Sequence, residues 1–278
     1  LVRDMDRYIN GGFSLWQTKV TAEMIFENVK THSLAGIIRY IYETEATAQH
    51  KERVFIKENH ADKMLPFTLS YFPDAKYVHV VRDPRDMALT WKEAAVYGGV
   101  KTASHVWLEN QQGALKNYGF MKELNRSMIV RFEDLISNTE ESVMKVCDFL
   151  GVTYNPEMLN FYTKDVVMNN TSQDGIGSWA DLRKPIIKDN FNRYKTLLSE
   201  AEIRYVERLC KDEMEYFGYK REFTSDSDST ELERKMPDED TVMDAEKAAL
   251  RQQTMGDFHE IRDSIYDKKL YLNDTDRF

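Results

Sequence analysis

Short apolar runs that alternate with helical stretches constrain this chain most. "RVFIK" (53–57), "KYVHVV" (76–81) and "SMIVRF" (127–132) are five or six residues long and rich in β-branched and aromatic side chains, as strands are. Between and around them lie segments with helical spacing: 23–51 in two pieces, "DKMLPFTLSYF" (62–72), "PRDMALTWKEAAV" (84–96) and an amphipathic stretch from His105 to Leu124. "NTEESVMKVCDFLG" (138–151) reads as a further helix, opening at Asn138 with Glu141 three positions on and stopping at Gly151. Strands separated by helices pair in parallel and are covered on both faces. The expected fold class is therefore α/β, a mostly parallel central sheet flanked by helices in three layers.

Composition narrows the setting. With 278 residues, 42% of them apolar, the chain can bury a substantial core. No run approaches the roughly 18 apolar residues of a membrane span, and no signal segment opens the chain, so no membrane span is expected. Cys147 and Cys210 sit in helical patterns without metal-ligand or pairing spacing. They read as buried thiols, the usage of a cytoplasm-like reducing compartment, although nothing marks the compartment itself. The formal charge of -9 is concentrated late: from Phe223 to Phe278 there are 15 acidic against 8 basic residues. Two parts are expected, an α/β domain over 1–222 and an acidic extension over 223–278, the latter a linker, a helix and a tail. No basic stripe is present, which disfavours nucleic acid as a partner. The extension has the character of a solvated segment or of a docking arm for a protein partner.

The second strand ends in "RDPRD" and runs straight into a helix whose first turn accepts Pro84 without loss. Ligands of open parallel sheets sit outside the carboxyl ends of strands, where helix N-termini favour anions. Arg82 occupies that end, and Thr90 follows two helical turns on. A guanidinium fork beside a hydroxyl suits a phosphate. The competing reading is that Arg82, Asp83, Arg85 and Asp86 only cap and pair at the junction.

The run "FIKENHADKMLPFTLSYFPDAKYVHVVRDPRDMALTW" resembles the nucleotide-binding half of the sulfotransferases that use 3'-phosphoadenosine 5'-phosphosulfate. "VRFEDLISNTEESVMKVCDFLGV" (130–152) is similar to that family's Arg-Tyr-Glu-Asp-Leu strand and helix. "GIGSW" (175–179) is similar to its late Gly-x-Trp loop, and "LSEAEIRYVERLCKDEMEYFGY" (198–219) to its closing helix. The resemblance covers roughly residues 50 to 220 in order. It implies a P-loop NTPase-like arrangement of the sheet, 3'-phosphoadenosine 5'-phosphosulfate as donor, no metal, and a small-molecule, glycan or peptide acceptor with a hydroxyl or amine.

Residue by residue, the resemblance places Arg82 and Thr90 on the 3'-phosphate, through the family's Arg-x-x-x-Asp-x-x-x-Ser/Thr element. It gives His60 the role of base, Lys57 that of stabilising the leaving oxygen, and Glu58 that of substitute base. Phe132 stands where the family often has a tyrosine near adenine, so stacking and simple packing are both open. Trp179 is either a nucleotide contact or a loop anchor. Residues without the resemblance have plainer readings: Asn59 or His60 as a helix cap, Lys57 as a solvated lysine, His79 as a satisfied core histidine.

Two departures stand out. The family's loop of the Lys/Arg-x-Gly-Ser/Thr-Thr kind, which cradles the 5'-phosphosulfate, is not visible, and "INGGFSLW" (9–16) reads as an ordinary turn. The expectation is that the loop lies upstream of Leu1 or has been lost. Before Trp179, the Arg-Lys-Gly of the cytosolic branch is replaced by Ser172, Gln173 and Asp174. Three readings follow: an active sulfotransferase, a sulfotransferase-like scaffold subunit without catalysis, or a kinase-like transferase. The absence of a Walker lysine and of magnesium ligands argues against the last.

Overall fold

The computed structural model describes residues 1–10, 16, 18–59, 61–94, 98–165, 167, 178–223, 234 and 236. These fall into two compact units, one ending at Asn59 and the other running from Ala61 onward.

The first unit is helical: α1 (Val2–Ile9), α2 (Ala22–Asn28) and α3 (Leu34–Ala48). Local chemistry sets the starts. The Thr21 hydroxyl accepts the Met24 N–H and the Ser33 hydroxyl accepts that of Gly36, each satisfying an amide that the helix cannot. Val2, Ile9, Val20, Ile25, Ile37 and Ile41 form the core of this unit. The strand expected at 53–57 is not present: residues 53–58 have no regular structure, and Val54, Phe55 and Ile56 are 45%, 74% and 52% exposed. Strand propensity is a preference for a pleated, half-buried surface, and it is realised only where a neighbouring edge completes the ladder. Among the described residues no such ladder includes this run.

The second unit carries the sheet. A 3-10 turn (Ala61–Met64) leads into α4 (Leu65–Tyr71), then β1 (Tyr77–Val81), α5 (Pro84–Ala94), α6 (Val100–Glu123), β2 (Ser127–Arg131), α7 (Phe132–Ser137) and α8 (Thr139–Leu150). Two more 3-10 segments (Pro156–Thr163 and Ser178–Arg183) precede α9 (Tyr194–Leu197), α10 (Glu200–Leu209) and α11 (Lys211–Tyr216). β1 and β2 pair in parallel, in register from Tyr77 opposite Ser127 to Val81 opposite Arg131. The α/β class and the parallel pairing are as expected. The sheet is smaller than expected, two strands among the described residues, and helices dominate.

The core of this unit gathers Val81, Leu89, Trp107, Val206, Met214 and Phe217, so that α5, α6, α10 and α11 pack around the end of β1. α6 starts at Val100, earlier than the His105 of the sequence reading, because Val100, Ala103 and Trp107 already carry the buried stripe. α8 ends as expected: Gly151 adopts φ 69°, ψ 42°, and the Val152 N–H returns to the Cys147 carbonyl at 2.9 Å. Its start differs. Asn138 makes no side-chain cap bond, and Glu141 pairs instead with Lys145 at 2.6 Å, one turn along its own helix. A reciprocal capping box forms elsewhere, between Ser199 and Glu202 at the head of α10.

Both cysteines are buried free thiols. Most of the extension after Phe223 lies outside the described residues; of it, Met236 is buried with the core of the second unit. Among the described residues, no helix is long and apolar enough to cross a membrane.

Candidate functional site at the carboxyl end of β1

The four charged residues that follow β1 divide into two groups. Asp83 caps α5: its Oδ1 accepts the Arg85 N–H at 2.9 Å, while Pro84 fills the first helical position. The same carboxylate takes the Arg85 side chain in a two-point contact, Nε to Oδ1 at 2.9 Å and Nη2 to Oδ2 at 2.6 Å. Arg85 also reaches Glu207 on α10 and the Lys220 carbonyl, with its guanidinium 4.2 Å from the centre of the Tyr194 ring. Burial works against the charge on Arg85, but Asp83 and then Glu207 outweigh it and hold the guanidinium above its usual pKa.

Asp86, one turn into α5, accepts the N–H groups of Asn192 (2.6 Å) and Tyr194 (3.0 Å). It thereby fixes the segment before α9 against α5. Burial raises its pKa, and those two amides oppose the rise. Asp83, Arg85 and Asp86 are thus spent on the fold, as the capping and pairing reading anticipated.

Arg82 is different. Its Nη1 lies 3.4 Å from the Thr90 hydroxyl and its Nη2 donates to the Asn190 carbonyl at 3.2 Å. Its guanidinium sits over the Phe132 ring, 4.8 Å from the centroid. Among the described residues its buried Nε meets no acceptor, and no carboxylate takes any of its bonds. The strand end itself is fixed from below, where the Trp107 indole donates to the Arg82 carbonyl at 2.9 Å. Burial lowers the Arg82 pKa; the charges of Asp86 and Glu133 resist this, and that of Arg193 adds to it. A half-buried guanidinium with a donor to spare and a hydroxyl beside it can hold a tetrahedral oxyanion.

Asp86, Thr90 and Glu93 are spaced four and three apart and so share one face of α5. The Thr90 hydroxyl donates to the Asp86 carbonyl at 2.9 Å and keeps its oxygen for Arg82. Glu93 pairs with Arg193 at 2.8 Å. A cavity of about 230 Å³ opens beside Asp86, with Arg131, Glu133, Asn192 and Tyr219 in its walls; Arg82 is not among them.

Of the site residues expected from the sequence, the structure brings Arg82, Thr90 and Phe132 together. Lys57 and Glu58 are exposed in the irregular run of the first unit, which corrects the expectation of a lysine at a strand end. His60 lies outside the described residues. Trp179 falls in the 3-10 segment Ser178–Arg183, with its side chain outside the described ones, as are residues 175–177. His79 is the satisfied core histidine expected, its Nε2 2.8 Å from the Gln111 side-chain oxygen, and burial lowers its pKa. Sequence reasoning gave no part to Asn190 or Arg193. No local signal marks them, because their partners, Arg82 just after β1 and Glu93 on α5, are about 100 residues away.

The chain matches the sulfotransferase family over residues 3–156. It is 24% identical to rat sulfotransferase 2A2 over 179 residues, 54% of this chain and 61% of that protein. Human carbohydrate sulfotransferase 2 is 31% identical over 100 residues, 34% of this chain and 17% of that protein. The chain therefore spans about three fifths or less of the length of these relatives. Two solved structures share the fold. The sulfotransferase domain of the Synechococcus PCC 7002 olefin synthase has a TM-score of 0.58 at 20% identity, covering 79% of this chain and 81% of that one. The sulfotransferase domain from the curacin biosynthetic pathway has a TM-score of 0.51 at 19% identity, covering 72% and 73%.

Proposed function

This chain belongs to the sulfotransferase family, and on that premise we propose that it moves a sulfuryl group from 3'-phosphoadenosine 5'-phosphosulfate to a hydroxyl or amine acceptor. The observation that carries this reading is the Arg82 guanidinium, set on Thr90 and Phe132 with its Nε lacking an acceptor among the described residues. A buried donor of that kind is costly unless an anion completes it, and the donor's 3'-phosphate is an anion of the right shape. Those residues fit the nucleotide end of the donor.

In the proposed step the acceptor oxygen or nitrogen bonds to sulfur as the bond from sulfur to the bridging phosphate oxygen breaks. The acceptor proton passes to His60, or to Glu58 in its stead. Lys57 neutralises the negative charge that the departing 3',5'-adenosine bisphosphate gains. Phe132 and Trp179 flank the adenine. Residues 1–222 make up the catalytic part, and 223–278 an acidic extension open to a protein partner. The carbohydrate sulfotransferase among the relatives supports an acceptor with a hydroxyl, from a small molecule, a glycan or a peptide.

One observation favours a second reading, a scaffold without catalysis: Lys57 is exposed on an irregular run and is not set at a strand end. Calorimetry with 3',5'-adenosine bisphosphate, on the wild type and on Arg82→Ala, separates the two together with a transfer assay over a panel of alcohols and amines. Binding that Arg82→Ala abolishes, accompanied by sulfuryl transfer, is the expected result. Binding without transfer across the panel selects the scaffold, and a wild type that binds no bisphosphate overturns the donor site altogether.

A further inference from the structure

We propose that Arg193 is a second donor-binding residue, which joins Arg82 on the nucleotide's 3'-phosphate and is held ready by Glu93 until the phosphate arrives. This rests on the sulfotransferase reading above and extends it to a residue outside the motifs.

Three observations converge. Asp86 binds the amides of Asn192 and Tyr194, the residues on either side of Arg193, and so pins the Arg193 backbone against the first turn of α5. Asn192 takes a left-handed conformation, φ 59°, which an asparagine tolerates and which sharpens the turn just before Arg193. From there the Arg193 side chain reaches Glu93, on the same face of α5 as Thr90 and one turn beyond it. Two guanidiniums thus lie along one helix face, Arg82 on Thr90 and Arg193 on Glu93.

The charge balance points the same way. Arg193 is near enough that its charge disfavours the protonated form of Arg82, a repulsion that a bound dianion between them would relieve. The present partner of Arg193 is weak. Its side chain is 38% exposed and that of Glu93 44%, and a pair so open to water gives up its arginine at little cost. A bidentate contact to phosphate is stronger than the contact it replaces. Ser172, Gln173 and Asp174 leave the loop before Trp179 without a cation, and Arg193 supplies one from a different segment.

The test compares 3',5'-adenosine bisphosphate with adenosine 5'-phosphate by calorimetry on the full chain. Arg193→Ala is expected to weaken the bisphosphate about tenfold or more while changing the monophosphate less than about twofold, the signature of one lost charged contact to the 3'-phosphate. Arg193→Lys recovers part of the loss. Glu93→Gln tightens the bisphosphate, because the competing carboxylate is gone. Equal losses for both nucleotides in Arg193→Ala, or no loss for either, overturn the role of Arg193 while leaving the donor site standing. A wild type that binds neither nucleotide overturns both. Thermal unfolding of each variant separates loss of contact from loss of fold.

Discussion

The guanidinium of Arg82 lies over the ring of Phe132, 4.8 Å from its centroid, at the point where β1 and β2 end side by side. Val81 and Arg131 are register partners, so the next residue of each chain, Arg82 and Phe132, is brought to the same edge of the sheet. The ring supports the guanidinium without consuming any of its N–H groups. A contact of this kind is worth about 0.5–2 kcal/mol. Phe132→Leu is expected to weaken binding of 3',5'-adenosine bisphosphate by a few fold in calorimetry, and Phe132→Tyr to preserve it. Loss of affinity in Phe132→Tyr would count against a role confined to the ring face.

Arg85 and Glu207 form a buried ion pair, 3% and 1% exposed at the side chains. Glu207 also accepts the N–H groups of Glu222 and Phe223, and so ties the segment after α11 to α10 and, through Arg85, to α5. Removing Glu207 leaves the buried Arg85 Nη1 and the amides of Glu222 and Phe223 without their carboxylate, although Asp83 still holds the guanidinium. Glu207→Ala should lower stability to urea by about 3–5 kcal/mol, and a joint replacement of Arg85 and Glu207 by apolar residues should cost less than the two single losses combined.

His79 gives stability a pH dependence. Burial holds its pKa below the ordinary value of 6.5, against the opposing effects of the Gln111 hydrogen bond and the Asp62 charge. As pH falls below 6.5 the unfolded chain takes up a proton that the folded chain refuses. The contribution is therefore complete above the unfolded value and is lost as pH drops from there toward the folded one. Urea midpoints measured across pH 5 to 7 should show this acid-side slope in the wild type and a smaller slope in His79→Gln.

Gly151 tests the backbone alone. Its φ of 69° is left-handed, and a Cβ added there would meet no atom within 4 Å. Gly151→Ala is expected to cost about 1–2 kcal/mol from conformation alone, and Gly151→Asn less. An unchanged thermal midpoint in Gly151→Ala would mean that α8 ends differently when the turn is not glycine.

The extent to which sequence specified this molecule can be followed residue by residue. β1, β2 and the helices around them were legible because each is written in local periodicity. Gly151 was legible as a stop because only a residue without a Cβ takes that conformation freely. Arg82 and Thr90 were legible together because eight residues of strand end and helix fix their separation whatever the rest of the chain does.

Other matters were decided by the tertiary structure alone. The segment 53–57 has every mark of a strand, yet a strand exists only with a partner, and the partner is a property of the assembled sheet. Whether Arg85 or Arg82 is the spent arginine depended on Glu207, more than 100 residues downstream. The arrival of Asn190 and Arg193 beside α5 depended on the two amides that Asp86 collects from a segment just as remote. Spacing along a chain fixes what lies within a turn or two; which distant segment satisfies a buried charge is settled only when the whole unit packs and every charge must find its counterpart.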